Sequence, residues 1–352
     1  MVAVLPIHYP KPLLTALDVH AVELWGPPGP PVGPAAGRIQ AYVCPLARNA
    51  LAFLAAGRAD AVDAVLVPHT CDSLQGLATV LADFGGWPKP VLTFYHPKGG
   101  RRRSACEFAT AELRVLSGRL EALTGRPLES ERLHAALALH RAIDEASAFL
   151  LANRAHLDGP DTDLYALLRR GEYLWPAEHL AEIDLLRQSV DRERTRPGIP
   201  LLVTGYVPEP AAFLHVLAEA GAYVAADDYA AVGRRVGAYA GLDTSAVADP
   251  LAALAELSFA GPPCPTRSTD VEARTAHLAA LARRGGARGV IAHTVKFCEP
   301  ELFDIPALRR TFGAAGLPLL HVECDLEAAL SGQTATRLEA FVEMLGAREG
   351  GM

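Results

Sequence analysis

The chain has 352 residues, 50% of them hydrophobic, with 33 Lys plus Arg against 40 Asp plus Glu and a formal net charge of -7. That apolar content exceeds what a disordered chain carries, and the acidic balance gives no global field for a polyanion, so no nucleic-acid partner is expected. No run of about 18 uncharged apolar residues occurs, and residues 1–10 lack a basic region followed by a cleavage site; neither a membrane partner nor secretion is expected, and the cytoplasm is the expected compartment.

In chain order, Ala41 to Pro45 (AYVCP), Asp63 to Cys71 (DAVLVPHTC) and Pro90 to His96 (PVLTFYH) are short Val- and Leu-rich runs. Between them, Leu46 to Gly57 and Ser73 to Asp83 have helical composition. This alternation predicts parallel strands joined by crossover helices. The Pro- and Gly-dense stretch Gly26 to Gly37 predicts an irregular loop.

From about residue 104 to 190 strand signals vanish. Leu, Ala, Glu and Arg recur at helical spacing, broken by turn chemistry at Gly125-Arg126-Pro127 and Asp158-Gly159-Pro160-Asp161. After Arg196-Pro197-Gly198 the α/β rhythm resumes. Strands are predicted over 201–205, 222–226, 289–293 and 317–322, with helices over 211–220 and 305–315 and a helical stretch through 275–284. The predicted fold class is α/β: two open parallel-sheet, Rossmann-like or flavodoxin-like domains with an intervening helical layer. The expected division is 1–190, with its helical segment from about 104, and 195–352.

The six cysteines read as buried thiols or metal ligands rather than a disulfide framework. Ligands of an open parallel sheet sit beyond the carboxyl ends of its strands. Three cysteines fall there: Cys44 at the end of a strand over 41–43, Cys71 after the run from Asp63, and Cys298 shortly after 289–293. They are too far apart in sequence for a local zinc motif. Thiolates converging from rigid supports suit an iron-sulfur cluster. Burial of ordinary structural thiols is the alternative on spacing alone.

Around these thiols, Thr70 and Asp72 could orient the loop or hydrogen-bond a sulfur, and Asp72 could equally cap the helix that follows. His69 and Glu299 are candidates for proton transfer, His69 against the simpler reading of an imidazole that is merely hydrogen-bonded. Lys98, Arg101, Arg102 and Arg103 form a basic loop that could meet coenzyme A phosphates or remain a solvated turn. Gly205 ends a strand where a bare backbone could approach a ligand or make a tight turn.

Several segments carry a resemblance. Val67-Pro68-His69-Thr70-Cys71-Asp72-Ser73, Lys296-Phe297-Cys298-Glu299-Pro300, Leu202-Val203-Thr204-Gly205, Pro263-Cys264-Pro265 and Gln333 to Phe341 resemble, in order, segments of the 2-hydroxyacyl-CoA dehydratase D-component family, which includes benzoyl-CoA reductase subunits. The likeness runs from about Pro6 to Leu345. It implies three cluster ligands, carried onto Cys44, Cys71 and Cys298, and a [4Fe-4S] cluster with one open iron. It also implies a homologous partner subunit in a hetero- or homodimer, an ATP-dependent iron-sulfur activator, and a CoA-thioester substrate reduced by one electron to a ketyl radical. Some relatives hold a double cubane [8Fe-9S] cluster, for which six thiols would suffice in number; the alternatives are therefore a double-cubane reductase of a small molecule and, separately, a non-catalytic cluster-bearing electron-transfer subunit. The sequence departs from the family where a Pro-Glu is common near the N-terminus and Tyr9-Pro10-Lys11-Pro12 stands here.

Overall fold

The computed structural model describes residues 1–28, 37–84, 86–239, 249–327 and 329–347. The chain begins with β1 (Val2–Val4), α1 (Lys11–Ala16) and β2 (Ala21–Glu23), continues through α2 (Pro45–Ala55), β3 (Ala64–His69) and α3 (Asp72–Thr79), and completes a sheet with β4 (Val91–Tyr95). A helical layer follows: α4 (Arg103–Thr124), α5 (Ser130–Ala152), α6 (Asp161–Arg169) and α7 (Pro176–Arg187). The second sheet's elements are β5 (Ile199–Gly205), α8 (Ala212–Glu219), β6 (Ala222–Tyr229), α9 (Pro250–Ala260), α10 (Val271–Arg284), β7 (Gly289–Val295), α11 (Glu299–Ala314), β8 (Leu319–Cys324) and α12 (Gly332–Ala347).

Both sheets are parallel throughout, ordered β2-β1-β3-β4 and β6-β5-β7-β8. The α/β class with two parallel sheets and a helical layer is as the sequence predicts, and the two halves repeat one strand order. Pairing on both sides buries the inner strands β3 and β7 almost continuously, whereas the outer strand β4 alternates, as the parallel geometry requires. Breaks fall where turn chemistry predicted them: α4 ends at Gly125 in the left-handed region (φ 70), which glycine adopts without a Cβ clash.

Two strands were not anticipated and one was misplaced. β1 and β2 have three residues each, too short for a two-residue periodicity to register. Residues 41–43 form a turn instead of a strand, so Cys44 does not end a strand; it precedes α2, whose first residue is Pro45. Ala-Tyr-Val has strand composition, but proline at the first helical position fixes a helix start. Most of the Gly26 to Gly37 loop, residues 29–36, lies outside the described residues.

One apolar core joins the two sheets, uniting Val65 and Val67 of β3 with Leu201 and Val203 of β5, Ile291 of β7 and the interposed Tyr206 and Cys298. A second core packs Leu113, Leu116 and Leu120 of α4 and Leu133 and Leu137 of α5 on Leu13 of α1 and on Leu66 and Phe94 of the first sheet, with Leu254 and Leu257 of α9. Each such leucine contributes about 1.5–3 kcal/mol by leaving water. The cleft between the sheets is thereby held between packed layers.

Candidate functional site

Cys44, Cys71 and Cys298 each stand immediately before a helix, α2, α3 and α11 respectively. Cys71 and Cys298 occupy equivalent places in the two halves, after the third strand of each sheet. Each helix start points backbone N–H groups and a partial positive charge toward its sulfur. The amides of Leu46 and Ala47 act on Cys44, those of Ser73 and Leu74 on Cys71, and that of Glu301 on Cys298, each favouring the thiolate. None closes a side-chain capping bond of ordinary geometry.

The three thiols converge. Burial raises the pKa of all three, and the charge of Cys44 pushes Cys71 further, to about 12, while Glu301, Cys44 and Cys71 together raise Cys298 well above its usual value. All three pairs are therefore close enough to act on one another. Tyr206, just beyond β5, is buried against Trp25 and feels Cys71, Cys298, Cys264 and Cys44, so its hydroxyl is held protonated by burial and by the thiols around it. Among the described residues no group of three or more His, Cys, Asp or Glu side chains could hold a single metal ion.

The other candidates separate into those beside the thiols and those away from them. Thr70 is buried with its Oγ1 lacking any hydrogen-bond partner, and its carbonyl accepts from Lys98 Nζ. Lys98 also donates to the Thr266 carbonyl at 2.5 Å and so ties the Cys71 loop to the Cys264 turn. Burial lowers the Lys98 pKa, while Cys71, Asp72 and Cys264 draw it back up. Asp72 is exposed and is itself the first residue of α3, so it does not cap that helix.

His69 packs edge-on to Tyr95 at 5.1 Å and lines a small surface cavity with Gln75, apart from the principal cavity described below. Burial and Lys98 lower its pKa. Glu299 is exposed, whereas Glu301, which sequence reasoning passed over, is buried and pairs with Arg234 at 2.7 Å. Arg101 pairs with Glu256 at 2.5 Å and Arg103 with Glu107 at 2.7 Å, while Arg102 is exposed at the start of α4. Gly205 admits no side chain, since a Cβ would collide with the His293 carbonyl of β7; its own carbonyl receives Ala230 N–H and Arg234.

Behind Cys298 lies a buried ion network. Arg234 and Arg274 converge on Asp228 at 2.9 and 2.6 Å, and Arg274 adds Asp304 at 3.2 Å. Burial alone would raise the Asp228 pKa, but the two guanidinium groups overcome it and hold the carboxyl at about 2. Arg234 also reaches Cys264 Sγ at 3.6 Å.

Cys264 is the fourth thiol that acts on Tyr206. Its sulfur is 3.0 Å from Thr266 Oγ1 and 3.4 Å from His8 Nε2. His8 in turn lines the principal cavity, about 230 Å³ between the loop after β1, α5, the segment after β6 and α9. Cys106 is influenced by Glu256 and Arg101, and Cys324 by Asp325.

Two parallel sheets of one strand order, joined by an apolar core that holds Cys298 and against which Cys44 and Cys71 pack, define an α/β protein of two similar halves. The chain belongs to the family described as 2-hydroxyglutaryl-CoA dehydratase, D-component, whose model matches residues 6–345. It is 24% identical to the lactoyl-CoA dehydratase beta subunit of Anaerotignum propionicum, over 98% of this chain and 91% of that one. It is also 24% identical to the (R)-2-hydroxyglutaryl-CoA dehydratase beta subunit of Acidaminococcus fermentans, over 97% and 91%. One of the benzoyl-CoA reductase subunits of Thauera aromatica is similar at 26% identity, over 88% and 81%. The family is one of enzyme subunits, and the resemblance read from the sequence is borne out. Among the described residues no helix is long and apolar enough to cross a membrane.

Proposed function

We propose that the chain is the iron-sulfur subunit of a 2-hydroxyacyl-CoA dehydratase or benzoyl-CoA-reductase-like enzyme, with Cys44, Cys71 and Cys298 holding a [4Fe-4S] cluster. The single observation that carries this reading is the convergence of these three thiols, each at a helix start, from both halves of the fold. The donor set fits: soft sulfurs suit iron-sulfur chemistry, and thiols with pKa values raised in this way need a metal-borne positive charge to be kept as thiolates. When bound, such a cluster supplies single electrons to the carbonyl of a CoA thioester.

The chain's own residues do the rest. Helix starts and Lys98 offset the thiolate charge. Tyr206 keeps water from the sulfurs, and the Arg234–Glu301 pair fixes the turn that carries Cys298. Thr70 Oγ1, left without a partner, is available to donate to a neighbouring sulfur. A homologous subunit and an ATP-dependent iron-sulfur activator complete the assembly; the beta-subunit relatives support a partner chain. The test is electron paramagnetic resonance of the anaerobically purified, reduced protein with its partner. A signal that changes when a 2-hydroxyacyl-CoA thioester is added supports the reading; a cluster signal indifferent to every thioester would make this an electron-transfer subunit instead.

A further inference from the structure

The principal cavity has an electrostatic asymmetry that its apolar lining makes consequential. Ile7, Phe94, Leu113, Ile143, Val232 and Leu254 form much of its wall. At the end near Cys264 stand His8, His96 and Arg267, which influence one another. Burial and Arg267 lower the His96 pKa to about 4; its Nδ1 faces the Pro97 carbonyl at 2.8 Å and its Nε2 the Ser258 carbonyl at 3.3 Å, and the neutral ring donates to one of the two. His8 is held neutral by burial and by Arg267.

Arg234 lines that end too but is paired with Asp228 and Glu301, which leaves Arg267 as the cation there without a carboxylate. Arg267 is 8% exposed, its NH1 and NH2 meet only the carbonyls of Ser258, Gly261 and Pro262, and its Nε is buried with no partner. No carboxylate acts on it; burial lowers its pKa, opposed only by Cys264. A buried guanidinium without an anion carries a large desolvation cost, which a ligand's negative charge relieves.

The opposite end is different. Lys11 and Arg235 are there, but Glu23 already pairs with both, at 3.0 and 2.5 Å. His140 and His179 are neutral, burial lowering their pKa to about 3 and about 4. Asp144, which accepts from the backbone of Gly237 at 2.8 Å and Tyr239 at 3.2 Å, adds a carboxyl group to that wall. A ligand carboxylate placed here would meet an acid and no cation left unmatched.

We infer that this cavity takes an apolar acyl group, aliphatic or aryl, whose one electron-rich oxygen is received by Arg267, and that it rejects acyl groups ending in a second carboxylate. The inference rests on the proposed thioester chemistry and narrows its substrate class. The oxygen is that of a thioester carbonyl or of a free carboxylate; both present the same partial or full negative charge to the guanidinium.

The test is anaerobic calorimetric titration of the full chain, with its partner subunit, against phenyllactoyl-CoA, 2-hydroxyglutaryl-CoA, phenyllactate and free CoA. Phenyllactoyl-CoA is expected to bind at least about tenfold more tightly than 2-hydroxyglutaryl-CoA and free CoA. Arg267→Met is expected to abolish that advantage, and Arg267→Lys to restore part of it. Equal or tighter binding of 2-hydroxyglutaryl-CoA overturns the inference, as does an Arg267→Met protein of native circular dichroism that binds phenyllactoyl-CoA unchanged. Binding of phenyllactate that depends on Arg267 assigns the oxygen to a carboxylate, and binding of the thioester alone assigns it to a carbonyl; either supports the site. Iron content, measured in parallel, reports on the cluster separately: an iron-free wild-type protein ends that reading whatever the cavity prefers.

Discussion

Two buried regions of the molecule, one behind Cys298 and one beside Cys71, manage charge in opposite ways, although the first half also holds a closed group in Glu23 with Lys11 and Arg235. In the second half, Asp228, Arg234, Arg274 and Glu301 are buried together and neutralise one another at 2.6 to 2.9 Å. In the first half and its junction with the second, Lys98 and Arg267 are held by carbonyl groups alone, without an ion pair among the described residues. A closed ion network makes a rigid support, because every charge has its partner inside the protein. Cations matched only by dipoles stand ready for an anion from outside. Cys298 leans on the first arrangement and Cys71 on the second, so one centre is braced from one side and electrostatically open from the other.

Breaking the closed side should have the largest effect. Arg274→Leu leaves Asp228 with one cation instead of two and is expected to lower stability by about 3–5 kcal/mol, read as a fall in the denaturation midpoint. A Lys98→Met change on the open side should cost far less stability, since no buried carboxylate is orphaned. If the two variants were equally destabilised, the contrast between the two regions would not hold.

Acid is expected to weaken both halves through their neutral histidines. His140, which meets Thr15 Oγ1 at 2.8 Å, and His293, stacked on Phe213 and 2.8 Å from the Tyr229 hydroxyl, both have pKa values lowered by burial to about 3. Their folded pKa lies below the unfolded value near 6.5, so the stability they confer is complete above about pH 6.5 and falls as pH drops toward 3. The slope is at most about 1.4 kcal/mol per pH unit for each. Chemical denaturation at pH 7, 6 and 5 should show that decline, and His293→Phe should flatten it.

Gly205→Ala probes the packing of the second sheet, since the new Cβ would overlap the His293 carbonyl. A loss of about 1–3 kcal/mol is expected, typical of overpacking, with every carboxylate still paired. The smallest effect belongs to the rim. Arg101→Ala removes a largely exposed pair with Glu256 and should change stability by no more than about 1 kcal/mol. If it weakens thioester binding severalfold nonetheless, the basic loop contacts the coenzyme as its composition suggested.

Much of the fold was legible because long helices and inner parallel strands write strong periods, as in α4, α5 and β7. The exceptions were local. β1 and β2 are too brief to show a pattern, and Ala41-Tyr42-Val43 has strand composition but precedes a Pro-initiated helix. Cys71 and Cys298 were readable because they follow inner strands; Cys44 was assigned as a candidate on a mistaken strand.

Choosing Glu299 over Glu301 overlooked a signal the sequence contained. Glu301 is the third residue of a helix whose preceding residue is Cys298, a place where a carboxylate turns back toward the helix start, while the first position faces solvent. Tyr206 and Arg267 had no comparable signal. Their importance comes from tertiary neighbours more than a hundred residues away in some cases, such as Lys98 and Cys71, and no local pattern encodes that.

The most direct measurement is the iron and acid-labile sulfide content of protein purified without oxygen, compared among the wild type and Cys44→Ser, Cys71→Ser, Cys298→Ser and Cys324→Ser. About four irons and four sulfides per chain are expected in the wild type and in Cys324→Ser, as one [4Fe-4S] cluster requires, with severe loss in each of the other three. Wild-type iron content in folded Cys71→Ser protein would contradict a centre built on these three thiols.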